Sequence, residues 1–312
     1  MLDVFLLTLN KVGILLIFIA IGYFLRRHHD LPDNAGKVLS LLCTLLFTPC
    51  YTINTLYKSF TREVFMEKTL LVCFGLIFTL AAIALAYLLS KPLAKSPMDR
   101  KSLIYAFSIP NYGYFGYPVV EGVFGQAILG DMMVFMIPHS IATYSFGYSL
   151  FLSDKKVNLK RILLTPMVLS IFIGAGLGLS GIQLPSIVSN ALTSAGNCMS
   201  PCSMILAGFM LGKFPLKKLL TGWRPYILTV VRLVGIPVIF GIVLFLLKVK
   251  GIYLLLPLVV AGLPLGLNLV VYPESLGHEK EAADNAKLCF VSYLLSLIVL
   301  PIAFALYNKL AL

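Results

Sequence analysis

Stretches of about 20 apolar residues recur along this chain from one end to the other, and each is about long enough to cross the hydrocarbon core of a bilayer. Ten such segments fall near 4–25, 37–57, 69–90, 102–124, 131–152, 161–180, 186–212, 225–247, 252–273 and 284–308. Of 312 residues only 12% are charged while 59% are hydrophobic, too little charge to cover the surface of a soluble domain of that length. The expected fold class is an all-α integral membrane protein of ten transmembrane helices with no sizeable soluble domain.

The formal net charge of +12 does not point to nucleic acid, because Lys and Arg sit in short loops between apolar runs. With the amino terminus outside, 17 basic residues fall on the inner loops and six on the outer side, with Lys11 and Arg232 left inside spans. That bias predicts a plasma-membrane protein with both termini outside and a cytoplasmic connector at 153–160. The six cysteines lie in apolar runs without a CxxC pair or accompanying metal ligands, so free buried thiols are expected and no metal or cofactor. The first 27 residues lack a basic leader and a small-residue cleavage site and read as a first span.

The two halves repeat. "LLFTPCYTI" has a counterpart in "NCMSPCSMI", and "SIPNYGYFGYP" in "GLPLGLNLVVYP". Pro49 and Pro201 are 152 residues apart, Pro110 and Pro264 are 154 apart, and Pro118 and Pro273 are 155 apart. Each half, 1–152 and 161–312, then holds five spans, and an odd number places the halves in opposite orientations. Two inverted five-helix repeats are a transporter architecture. Proline removes a helical N–H and clashes with the preceding turn, and glycine permits open backbone. The fourth and ninth spans are therefore expected to be broken near the midplane, where open backbone is tolerated only against protein or a watery cavity. Matched breaks in both repeats mark the expected binding site.

The expected substrate-binding residues are Pro110, Asn111, Tyr112, Gly113 and Tyr114 in the fourth span and Pro264, Gly266 and Asn268 in the ninth. Asn111 and Asn268 each offer one acceptor and two donors, and either bind ligand or cap the half-helices. The half-helix N-termini present free N–H groups and positive dipole ends, which suit a carboxylate. Ionisable residues within spans are costly and are candidates for coupling. His139 has an ordinary pKa of about 6.5, which suits a proton; its other reading is a hydrogen-bonded core histidine. Glu121 and Asp131 flank an outer loop, Arg232 either pairs with an acid or snorkels, and Ser140, Thr143 and Asn111 offer a sodium ion oxygens without a carboxylate. Protons, or no coupling ion, are preferred over sodium. The Gly174-x-x-x-Gly178 pair reads as a packing face. Neither HExxH, GxSxG nor a Walker sequence occurs, and no enzyme activity is expected.

Three ordered motifs resemble the auxin efflux carrier family: Asn111-x-Gly113-x-x-Gly116-x-Pro118, Pro264-x-x-x-Asn268, and "SYLLSLIVLP" from Ser292 to Pro301. The resemblance spans essentially the whole chain. It implies a fold shared in outline with the bile acid:sodium symporters, with spans 1, 2, 6 and 7 as scaffold and spans 3–5 and 8–10 as a transport domain whose broken fourth and ninth helices cross. It also implies secondary active carriage of small organic anions by an elevator-type alternating-access cycle. In plants the substrate is auxin; in bacteria it is a carboxylate such as malate or malonate. A homodimer is implied as well. The alternatives are a sodium-coupled bile-acid-like symporter and an anion channel. The long central loop of many plant members is replaced by "SDKKVNLK", and Leu267 stands where a small polar residue is frequent.

Overall fold

The computed structural model describes residues 1–28, 31–32, 34–63, 65–152 and 164–311. The connector expected at 153–160 and the first residues of the segment at 161–180 lie outside the described residues. The chain is helical: α1 (Leu2–Arg27), α2 (Ala35–Leu42), α3 (Thr48–Ser59), α4 (Phe65–Leu93), α5 (Pro97–Ser108), α6 (Tyr117–Phe135), α7 (Ile137–Ala142), α8 (Pro166–Ser180), α9 (Ser186–Asn197), α10 (Met199–Leu211), α11 (Leu216–Leu220), α12 (Arg224–Val230), α13 (Ile236–Leu246), α14 (Ile252–Gly262), α15 (Asn268–Ser275) and α16 (Glu279–Ala311). Short π-helical turns join α2 to α3 and α12 to α13, precede α6 and follow α7. Among the described residues six helical stretches are long and apolar enough to cross a membrane: Leu2–Arg27, Ala35–Ser59, Lys68–Leu93, Tyr112–Phe135, Arg224–Leu246 and Glu279–Ala311. Pro166–Ser180 and Ile252–Gly262 are shorter apolar helices. Large apolar side chains such as Leu80, Leu88, Phe172 and Phe245 lie exposed on these helices, a surface suited to lipid rather than water.

Between helices in lipid, close packing has to replace hydrophobic collapse, and small residues allow it. α1 runs along α10 with Gly22 and Gly208 at the seam. A Cβ on Gly22 would collide with the Ile205 carbonyl, and one on Gly208 with the Ile19 carbonyl. α3 packs on α8 and α9, and here the Gly174-x-x-x-Gly178 face meets the backbone of Ile53, Tyr57 and Phe60. A second group of contacts joins α4 to α5, α6 and α7, and α16 to α14 and α15.

Three details depart from the sequence reading. The backbone at Gly125 (φ 85°, ψ 175°) breaks the helical course of α6, which resumes at once. The outer loop expected between 124 and 131 is therefore reduced to this break, and Asp131, expected at the start of the next span, pairs with Lys68. The segment at 186–212 is divided at Cys198, just before Pro201, which α10 accommodates in its first turn. The cysteines are free as expected, but Cys73 and Cys198 are exposed on the helix surface rather than buried.

Candidate functional site

α5 begins at a cap: the Ser96 hydroxyl accepts from the Asp99 N–H at 3.1 Å, and Pro97 occupies the first turn. The Arg224 guanidinium holds Asp99 at 2.5 and 3.1 Å, tying α5 to α12. α5 ends at Ser108 because Pro110 disfavours helical geometry in the residue before it, and Ile109 is extended at φ −116°, ψ 100°. α14 ends for the same reason before Pro264, with Leu263 at φ −65°, ψ 150°.

The two extended stretches lie side by side. Pro110 and Leu265 form an isolated antiparallel bridge. The Asn111 N–H donates to the Pro264 carbonyl at 2.8 Å, and the Leu265 N–H to the Ser292 hydroxyl at 3.2 Å. Each break thus satisfies the other's open backbone, with help from α16, as an apolar interior demands. The chain then re-enters helix at Tyr112 on one side and Asn268 on the other.

Neither asparagine side chain caps its half-helix. Asn111, 4% exposed, donates through Nδ2 to the Tyr293 hydroxyl at 3.1 Å. Asn268 donates through Nδ2 to the Tyr272 hydroxyl at 3.2 Å. A cavity of about 40 Å³ lies here, lined by Pro110, Asn111, Tyr112, Gly113, Tyr114, Gly266 and Asn268, with Thr48 and Met167 on the facing wall. All eight expected substrate-binding residues except Pro264 line it, and Pro264 is hydrogen-bonded to Asn111 beside it. The volume suits about one water molecule. A Cβ on Gly113 would meet nothing within 4 Å, so this glycine leaves open space.

His139 and Arg232 lie deep in the same bundle, 1% and 2% exposed. Nδ1 of His139 lies 3.3 Å from the Thr79 hydroxyl, its ring meets Tyr112 edge-on at 5.5 Å, and Nε2 has no partner among the described residues. Among the described residues Arg232 pairs with no acid, and its burial leaves it no route to snorkel. Its Nη1 donates to the Phe107 carbonyl at 3.3 Å, at the carboxyl end of α5, while Nε and Nη2 have no partner among the described residues. A cation at that end opposes the negative pole of the half-helix. The Tyr112 hydroxyl reaches Thr143 at 3.5 Å, and Thr143 donates to the His139 carbonyl at 2.9 Å, so Thr143 is already engaged; Ser140 is buried on the same helix. Glu121 lies away from the crossing, accepting from Tyr51 at 3.0 Å and from Gln126. Among the described residues no three His, Cys, Asp or Glu side chains converge as a metal site.

Reasoning from sequence missed Tyr272, Ser292 and Tyr293, which hold the asparagines and the open backbone. Ser292 and Tyr293 open the "SYLLSLIVLP" run, whose place in the third dimension the sequence does not reveal.

The family described as "Membrane transport protein" matches residues 8–158 and 152–304. An uncharacterized transporter of Methanocaldococcus jannaschii, MJ1031, is 26% identical over 223 residues, 68% of this chain and 71% of the relative. An uncharacterized transporter of Schizosaccharomyces pombe, C5D6.04, is 27% identical over 152 residues, 46% of this chain and 34% of the relative.

Proposed function

This chain belongs to the membrane transport protein family, that of the auxin efflux carriers, and on that premise we propose that it is a secondary carrier of small organic anions. The substrate class is a carboxylate of malate or malonate size. The carboxylate is received at the crossing of two broken helices, the fourth and ninth of ten spans arranged as inverted repeats. The observation that carries this reading is the Pro110–Leu265 bridge, with Asn111 and Asn268 beside it and a half-helix starting on either side. Two helix starts and two amides offer donors, and no carboxylate is buried among the described residues to compete for them. A neutral amide also avoids the desolvation cost of a buried lysine or arginine.

A cavity for about one water cannot hold a dicarboxylate, so the site opens when its walls part. Thr48 and Met167 belong to the group of helices joined by glycine seams, α1, α2–α3, α8 and α9–α10. The crossing belongs to the remainder. We assign the first group as the scaffold and the second as the moving domain of an elevator-type cycle. Backbone-to-backbone seams keep each group rigid, α4 closing on α6 at Gly75 as α1 closes on α10 at Gly208, since they leave no side chain to readjust.

A proton is the proposed coupling ion, taken at Nε2 of His139. His139 and Arg232 both lie buried in this bundle. Two positive charges there are offset when a carboxylate reaches the crossing, so proton and anion load together.

Purified protein in liposomes tests the reading. Malonate inside is expected to accelerate uptake of labelled malonate, which separates a carrier from a channel, and dicarboxylates are expected to raise Tm. Non-saturating flux indifferent to internal malonate would refute it.

A further inference from the structure

A larger cavity, about 600 Å³, lies apart from the crossing, between the first half of α1, the helix start of α10 and the stretch of α6 near Gly125. Lys11, Tyr51, Glu121, Gln126, Asn197 and Ser200 supply its polar lining. Lys11 is the one charged residue of α1 between Asp3 and Arg26, and its stem is laid across Gly122: a Cβ there would collide with Cδ and Cε of the lysine. The missing side chain at 122 is what makes room for it.

The charges in this cavity are not equivalent. Both oxygens of Glu121 are occupied, Oε2 by the Tyr51 hydroxyl at 3.0 Å and Oε1 by the Gln126 amide. Lys11 has no hydrogen bond and no ion pair among the described residues. An ammonium inside a span without a partner is costly, and such residues mark ion and substrate pathways. The cavity adjoins α6, the helix that leads directly out of the crossing, and its opposite wall is the α1–α10 seam.

We propose that this cavity is a second, outlying anion site on the transport path, in which Lys11 receives a carboxylate before it reaches Asn111 and Asn268. Glu121 accepts from Tyr51 and Gln126 and forms no ion pair with Lys11 among the described residues, which leaves the ammonium available to the travelling anion. The inference rests on the carboxylate-carrier reading and adds a receiving site to it on the membrane face where the amino terminus lies.

The test uses the full-length protein in vesicles of both orientations, with labelled malonate as probe. Lys11→Met keeps the stem that fills the space over Gly122 and removes the charge; Lys11→Arg keeps both. Loss of a charge-assisted hydrogen bond predicts that Lys11→Met raises the KM for uptake from the amino-terminal face about tenfold. KM from the opposite face changes less than about twofold and Tm is kept, while Lys11→Arg stays near the parent. Unchanged KM from both faces, or an equal loss from both, overturns the Lys11 site while leaving the crossing intact. Absence of malonate flux in the parent overturns both readings. A falling Tm in Lys11→Met with an unaltered KM in the folded fraction makes Lys11 a packing residue and also overturns the site.

Discussion

The Asn111 N–H and the Pro264 carbonyl, drawn from opposite halves of the chain, are 2.8 Å apart. That bond joins two helices where each has been stopped by its own proline, and it places the Asn111 side chain against Tyr293 rather than against the half-helix it precedes. An amide held by a tyrosine hydroxyl can exchange that partner for a carboxylate without leaving a backbone group unpaired.

Asn111→Ala and Asn268→Ala are therefore expected to weaken malonate binding by about 10- to 150-fold each, the equivalent of one hydrogen bond to a charged group at roughly 1.5–3 kcal/mol. Expression and Tm should stay near those of the parent. Melting curves and titrations on the same two variants decide between binding and support: a variant that melts early yet binds normally has lost a structural residue.

Gly113 offers a steric test. Its Cβ position is open, with no atom within 4 Å, so Gly113→Leu places its branch in the crossing cavity of about 40 Å³. Malonate uptake should fall at least tenfold, with an unchanged elution profile in detergent. Full uptake by Gly113→Leu would move the substrate path elsewhere.

His139→Gln keeps an amide within reach of Thr79 but cannot carry a proton. The pH dependence of malonate uptake between about pH 5 and 8 is expected to flatten in this variant. A parental profile would assign His139 to the packed core.

The seam between α1 and α10 should tolerate nothing larger than glycine. Gly208→Leu forces a side chain onto the Ile19 carbonyl, and overpacking of this kind costs about 1–3 kcal/mol or more. A drop in Tm, with malonate affinity kept in the remaining folded protein, is the expected pattern. If affinity falls while Tm holds, the seam takes part in binding.

Orientation can be read with impermeant thiol reagents on a background without the native cysteines. A single cysteine at 156 should stay unlabelled in intact cells and one at 183 should label. The reverse pattern would invert both termini.

Much of this was legible in the chain because proline acts locally. Pro110 and Pro264 each end the helix before them, whereas Pro92, Pro257, Pro273 and Pro301 are carried inside helices, so it was the matched spacing of the prolines in the two halves that marked the breaks. Partners carry no such mark. Tyr293 is 182 residues from Asn111, and nothing in "SYLLSLIVLP" announces that its first two residues support the crossing. Arg232 was visible as an oddity within an apolar run, but its contact with the Phe107 carbonyl depends on how α12, α13 and α5 meet in space. Gly125 was hidden for another reason: glycine in a membrane helix is common, and only its backbone angles reveal the break.

The bridge at the crossing also has a history in time. Pro264 is made 153 residues after Asn111, which at about 5–20 residues per second is roughly 8–30 seconds of synthesis. Through that interval the first broken helix exists with its acceptor unmade, in a bilayer that offers no substitute. The nascent first half must therefore keep its interruption wetted, or sheltered by the insertion machinery, until the second half arrives. Ribosomes stalled before residue 264 should leave Asn111 open to water-borne thiol probes when it is replaced by cysteine, and release of the full chain should close it.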